Sequence, residues 1–317
     1  MGAECYVREA TTSGRTDNTI KVGFCVAYDW YFLAYALPQV YERADIICIS
    51  VDKDRMSWAR RRFEWDQAGF DILIRSIDKA HKVIVYEDNF HLADLSPAEN
   101  EVRQRRLMSE KMGAGGWHVQ LDCDEYFVDF EGFIHYLQQV PIRRSDFNVC
   151  CQLLSVFKQV AGGYLVVNPE STSSYEFLQI ASRTPRFEHG RRNGYFNVLS
   201  PFVIIHQSWA RAESEIRQKL LNWGHVGDFD AATYLDFWQA LNEDNYRDFR
   251  NFHPISPSAW PSLKFVEASD AHELISACER DVLPASGQLY RLMRNSRMIS
   301  GLLRHSKTLF RKMFAAF

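Results

Sequence analysis

Two aspartates one residue apart, Asp122 and Asp124, with Glu125 directly after them, lie within the stretch WHVQLDCDEYF (117–127). Trp117, Val119 and Leu121 alternate with polar residues, the pattern of a half-buried strand, so the acidic group falls where that strand stops. Carboxylates this crowded repel one another unless something positive joins them. A hard divalent cation, Mg²⁺ or Mn²⁺, meets that need, because it takes one or two carboxylates together with substrate phosphates and keeps its other positions wet. The competing reading makes Asp122 and Asp124 helix caps or turn residues, and a D-x-D alone does not separate the two.

The elements that would position these acids come in a regular order. KVGFCVAY (21–28), DIICISVD (45–52) and KVIVYED (82–88) read as buried strands, and YFLAYALPQVYERA (31–44) and SWARRRFEWDQA (57–68) as the helices between them. A third helix opens at Ser96 with Pro97 in its first turn and Glu99 three residues after the cap, a capping box just ahead of the D-x-D strand. Strands alternating with helices predict a parallel sheet covered on both faces. Ligands of such sheets bind at the carboxyl ends of the strands, where Tyr28, Asp29, Asp52, Glu87, Asp88 and the D-x-D all fall. Four acidic strand ends on one rim favour a metal and phosphate site over capping.

After residue 147 the pattern changes. FNVCCQLLSVFKQV (147–160), a Gly162-Gly163 turn and YLVVN (164–168) predict a mixed or antiparallel extension for a second substrate. An apolar strand then delivers His206 at its end, and Ala212, Ile216, Leu220 and Trp223 line one face of the helix that follows. His206 is placed like a strand-end ligand, with a hydrogen-bonded core histidine as the alternative.

The chain has 317 residues, 46% of them hydrophobic, enough for one large α/β domain with an appendage. The polar opening MGAECYVREATTSGRTDN is not that of a signal peptide, and no apolar run reaches membrane-spanning length. Seven cysteines without a C-x-x-C pair fit reduced core thiols, and a cytoplasmic location is expected. Residues 285–317 hold seven Lys+Arg and no acid, whereas the first 284 hold 30 basic and 40 acidic residues. That division excludes a nucleic-acid-binding body and predicts an appendage for an anionic surface. Within it Leu289, Leu292, Met293, Ile299, Leu302, Leu303, Leu309, Phe310, Met313 and Phe314 recur at helical steps, with Arg291, Arg294, Arg297, Arg304, Lys307 and Arg311 between them, as in an interfacial helix on the inner face of a membrane.

A βαβ half, the strand-end LDCDEYF and a histidine 82 residues after Asp124 together resemble the GT-A glycosyltransferases of the family-2-like group, in the branch with an LDxDE motif. The resemblance covers about residues 20–250, and it departs from the family at SVDKD (50–54), where a DDGS sequence is usual. It implies an α/β GT-A fold, with a Rossmann-like nucleotide-binding half, a mixed central sheet and a helical C-terminal region. The divisions expected are a flexible 1–19, a nucleotide-sugar half 20–130, an acceptor half 131–250, an irregular helical extension 251–284 and the basic tail 285–317.

The resemblance also implies roles. Asp124 and His206 would hold Mn²⁺ or Mg²⁺, Asp122 would contact ribose or the sugar, and Tyr28, Asp29 and Asp52 the base and ribose. One of Arg103, Arg105 and Arg106 would reach the diphosphate, and Arg106 is the choice for donor binding; a solvated face is the plainer reading for the others. An inverting transfer needs a general base near the acceptor hydroxyl. Glu170, Glu176 and Glu188 are the candidates, Glu188 first because it precedes the His206 strand beside Arg186, Arg191 and Arg192. Asp228 and Asp230 are later options, with a helix cap as the alternative for Asp228. Trp209, Trp223 and Trp260 could stack on a sugar or belong to the core. The function expected is transfer from a nucleotide-diphosphate sugar to a glycan or lipid-linked acceptor in bacterial surface polysaccharide synthesis. A D-x-D phosphatase fits less well, since Glu125 follows the motif where Thr or Val is usual. A sugar-nucleotide pyrophosphorylase lacks its glycine-rich loop in AYDWYF. A non-catalytic membrane-docked module would leave the acids without a purpose.

Overall fold

The computed structural model describes residues 17–141, 146–168, 176–222, 229–278 and 285–296. Glu170, Trp223, Asp228 and the tail from 297 onward, on which expectations were placed, lie outside these residues.

The alternating first half is built as its sequence predicts. β1 (Ile20–Val26), β2 (Ile46–Asp52), β3 (Val83–Asp88) and β4 (Trp117–Asp122) form a parallel sheet in the order β4-β1-β2-β3. β1 is buried along its whole length because elements cover both faces, which its apolar composition requires. β1 pairs with β2 on one side and β4 on the other, so the chain reverses its direction of travel across the sheet there. A crevice therefore opens between the carboxyl ends of β1 and β4.

The covering helices are α1 (Leu33–Tyr41), α2 (Gln67–Ile77) and α3 (Pro97–Lys111). The capping box at the start of α3 is present, with Ser96 accepting from the Glu99 amide and the Glu99 carboxylate accepting from the Ser96 amide at 2.8 Å. α3 lies close on β1 because Gly23 faces it: a Cβ there would stand 2.7 Å from Met108 Cε. The helix expected over 57–68 is a correction. Residues 57–66 belong to a loop that starts at 53, in which Arg55 and Arg60 take left-handed φ values of 58° and 63° and Met56 bridges to Arg62. The three arginines at 60–62 offer no apolar stripe to bury, and Asp66 caps the helix that begins at Gln67.

The second half extends the same sheet. β5 (Glu125–Phe127) and α4 (Phe130–Gln139) lead into β6 (Phe147–Val160), β7 (Gly163–Val167), β8 (Phe177–Ser182) and β9 (Phe196–His206). β8, not anticipated from the sequence, joins the halves by lying antiparallel to both β4 and β6. β9 runs parallel to β6 and antiparallel to β5, which sets His206 opposite Glu125 and beside Ser155. This is the α/β architecture of a Rossmann-like half continued into a mixed sheet.

One apolar core fills the space around the parallel strands, and a second lies under the mixed half. The second is built from Phe157 and Trp209 with α5 (Glu213–Asn222), α6 (Ala231–Ala240) and the segment carrying Phe252 and Trp260. Ile216 and Leu220 of α5 point into it, as their spacing predicts. β10 (Leu263–Glu267) pairs with β7, followed by α7 (Ala271–Cys278) and α8 (Ala285–Asn295). Every cysteine among the described residues is a buried thiol. Among those residues no helix is long and apolar enough to cross a membrane.

Candidate active site

The carboxyl ends of β1 and β4 open into a cleft of about 450 Å³. Tyr28, Asp29, Asp52, Asp122, Asp124 and His206, six residues singled out in the sequence, all line it. Their environments differ, and so does what each can do.

Asp124 is buried, and its Oδ2 accepts from Arg211 and lies 3.5 Å from His206 Nε2. Burial alone would raise its carboxyl, but His206 and the Arg211 guanidinium beside it outweigh that and hold it well below the usual carboxylate range. Arg211 also donates to Asp29 Oδ2 at 2.8 Å and lies over the Phe32 ring, so one guanidinium joins the end of β1 to the turn after β4. Beside it Lys219, on α5, donates to the Ser208 carbonyl at 2.8 Å. Burial, with Arg211 nearby, brings Lys219 down to about 8.

Asp122 is held from two sides, by Arg105 at 2.8 Å and Arg191 at 3.2 Å. Its burial is overcome by these guanidiniums, which keep it below the carboxylate range. Arg191 also makes a two-pronged pair with Glu125, at 3.0 and 2.7 Å. Repulsion within the D-x-D-E group is thus relieved largely by arginines of the chain itself.

Asp52 lines the cleft with its carboxylate already engaged by the backbone. Its Oδ1 accepts from the amides of Asp54 and Met56, and its Oδ2 from those of Phe90 and His91, between 2.9 and 3.1 Å. Four backbone donors commit both oxygens to holding the two loops of the cleft rim. Glu87 pairs with Arg55, Asp88 accepts from Tyr86, and neither lines the cleft.

Three further expectations are corrected. Arg106 is exposed on α3, and Arg105, one residue earlier, shares the buried face with Met108 and reaches Asp122. Glu188 is exposed, pairs with Arg186 and does not line the cleft. Asp230 is the N-cap of α6. Glu176, just ahead of β8, does line the cleft: its carboxylate accepts from Trp260 Nε1 at 3.4 Å, and burial pushes it up against the pull of His206. Trp209 and Trp260 show only a rim to the cleft and otherwise belong to the second core.

Sequence reasoning missed Arg211 and Lys219. The helical step from Lys219 back to Ile216 marks it as near the buried face of α5, but nothing local shows Arg211 turning inward. Among the described residues no three His, Cys, Asp or Glu side chains converge into a group able to hold a metal ion. Asp124 and His206 do converge, and as one carboxylate and one imidazole they suit a cation that takes its other ligands from phosphate and water.

No protein-family model matches the chain, and no curated protein matches it. Solved structures with some likeness include residues 1–349 of S. aureus TarS, at 12% identity over 70% of this chain and 69% of that one, with a TM-score of 0.33. A UDP-glucose pyrophosphorylase complexed with UDP-glucose is 10% identical over 53% of this chain and 76% of its own, with a TM-score of 0.29. A 4-diphosphocytidyl-2C-methyl-D-erythritol synthase is 9% identical over 83% and 99%, with a TM-score of 0.30. Likenesses this distant assign neither activity nor substrate.

Proposed function

We propose that the protein is a metal-dependent glycosyltransferase that moves a sugar from a nucleotide-diphosphate donor to a glycan or lipid-linked acceptor, with inversion. The observation that carries this reading is the meeting of Asp124 and His206 beside Arg211 and Lys219 at the crevice between β1 and β4, with Glu176 lining the same cleft. A cation held by Asp124 and His206, Mn²⁺ or Mg²⁺, would neutralise charge on the departing diphosphate.

The remaining chemistry belongs to side chains of the cleft. Arg211, buried, and Lys219, half-buried beside it, both line the cleft, and they bind the diphosphate oxygens. Tyr28 and Asp29 bound the nucleoside end, and Asp122, oriented by Arg105 and Arg191, accepts a hydroxyl of the donor. Glu176 takes the proton of the acceptor hydroxyl as that oxygen bonds to the anomeric carbon and the bond to diphosphate breaks. Burial raises its carboxyl, which makes the carboxylate a stronger base than an ordinary glutamate. Among the alternatives, a nucleotidyltransferase would need a loop to cradle a triphosphate after β1; here a 3₁₀ turn at Trp30–Phe32 follows, without glycine. We extend the proposal to a cytoplasmic enzyme of bacterial surface polysaccharide synthesis.

A panel of nucleotide-diphosphate sugars incubated with the protein and Mn²⁺ tests the reading. Release of the nucleoside diphosphate from at least one donor, lost on chelation and with Asp124→Asn, is expected. No turnover and no binding of any donor would overturn it.

A further inference from the structure

α8 is docked with its apolar stripe outward. Leu289, Leu292 and Met293 are 58%, 64% and 40% exposed, while Tyr290, Arg291, Arg294 and Asn295 are half-buried on the opposite side. An amphipathic helix on a globular body ordinarily does the reverse. Specific contacts hold this orientation. The Asn295 amide accepts from Leu199 N at 2.7 Å and donates to Leu199 O at 2.9 Å, satisfying both backbone groups of one β9 residue. The Tyr290 ring stacks on Phe177 with 6.3 Å between centroids. The helix cannot roll its leucines inward without breaking both.

We infer that this face, together with the cations that follow it in sequence, docks on an anionic lipid surface. The apolar part is the exposed stripe. The charged part is sequence composition: 297–317 adds five Lys+Arg and no acid, whereas residues 1–284 hold ten more acids than bases. Each Lys or Arg near an anionic bilayer contributes roughly 1 kcal/mol, and a few exposed leucines without such charges bind only weakly. Charge disfavours the other occupants of the stripe. A second copy meeting it through its own α8 would bring two all-basic segments together, and 297–317 folding back would lay a segment with five cations and no acid over an apolar stripe.

The attachment does not depend on the transferase reading, but it connects with it. Tyr290 rests on Phe177, the residue after Glu176, and Asn295 grips the strand that ends in His206. A helix lying on a bilayer is thereby joined rigidly to two strands of the cleft, as suits an acceptor presented by a lipid.

The test is co-sedimentation of the full chain with phosphatidylcholine vesicles, with and without phosphatidylglycerol, at low and high salt. Binding only to the phosphatidylglycerol vesicles, released by salt, is expected, and Leu289→Glu/Leu292→Glu should reduce it at least about ten-fold. Both side chains are exposed, so the melting temperature should not change. Failure of the full chain to bind such vesicles, or undiminished binding by the double variant, would overturn the inference. So would a dimer that the double variant turns into a monomer in sedimentation velocity without any vesicle binding, since the stripe is then a contact between copies. Donor turnover measured without vesicles reports on the cleft separately.

Discussion

Arg211 Nη1 lies 2.8 Å from Asp29 Oδ2 while its Nη2 donates to Asp124 Oδ2, so one buried guanidinium fixes the spacing between the end of β1 and the D-x-D turn. Both carboxylates come from segments that the parallel sheet makes neighbours, although 95 residues separate them in sequence.

Arg211→Lys keeps the charge and loses the fork that spans the two acids. It is expected to lower stability by about 1–3 kcal/mol, because one buried carboxylate loses its partner. Donor affinity should fall at least about ten-fold, a change of ~1.4 kcal/mol. Urea denaturation and donor titration measure the two effects. A variant with unchanged donor affinity would remove Arg211 from the donor site.

Asp124→Asn removes the charge that joins His206 and Arg211. Turnover should drop by at least about 10², the usual loss for one electrostatic group at a reacting centre. The far-ultraviolet spectrum should remain that of the wild type. Full wild-type activity in excess chelator would instead remove the cation from the reading.

Glu176→Gln is expected to slow transfer to acceptor by about 10²–10⁴ while leaving donor binding intact, the pattern of a lost general base. Glu188→Gln should change the rate by no more than about two-fold, since an exposed side chain outside the cleft contributes little. If Glu176 is the base, its carboxylate must be ionised, and since burial raises that carboxyl, activity should climb with pH on an acid limb above the ordinary carboxylate range. That limb should vanish in Glu176→Gln.

Lys219 supplies a two-part pH test. If the protonated amine binds the donor phosphates as proposed, donor affinity should decline as pH rises through about 8, and Lys219→Met should remove that decline. Stability moves the other way. The folded state releases this proton near 8, whereas the unfolded chain holds it to about 10.4, so folding becomes more favourable with pH across that window. The melting temperature of the wild type relative to Lys219→Met should therefore rise between those two values.

Asp52→Asn turns one of two accepting oxygens into a donor facing two backbone N–H groups. A loss of roughly 2–4 kcal/mol is expected, from two hydrogen bonds to a charged group and two amides left unpaired. Equilibrium urea unfolding measures it. An unchanged midpoint would show that the rim loops do not depend on this carboxylate.

The alternation of apolar strands and helices made the parallel half legible from the sequence, because a strand covered on both faces must be apolar along its length. β1, β2 and β4 therefore declared themselves, and Ser96 with Glu99 marked the start of α3 through contacts only three residues apart. The strand-end positions of Asp122, Asp124 and His206 followed from the same local patterns. The helix expected at 57–68 failed where local pattern is weakest, in a run of arginines that turns away from helix because Asp66 caps a later one. Arg105, not Arg106, could have been chosen from its helical step to Met108.

The sequence by itself therefore determined which residues end each strand and hence which acids stand on one rim, since that depends on periodicities of two and of about four residues. Only the tertiary structure decided the partners of those acids. Arg191 reaches Glu125 across 66 residues and Arg211 reaches Asp29 across 182, and Glu176 displaces Glu188 in the cleft because β8 inserts between β4 and β6. The same holds for α8, whose amphipathic sequence was plain but whose outward apolar face depends on Leu199 and Phe177. Ion pairs and stacking contacts act over a few ångströms of space without regard to distance along the chain, so the pattern within any one segment does not contain them.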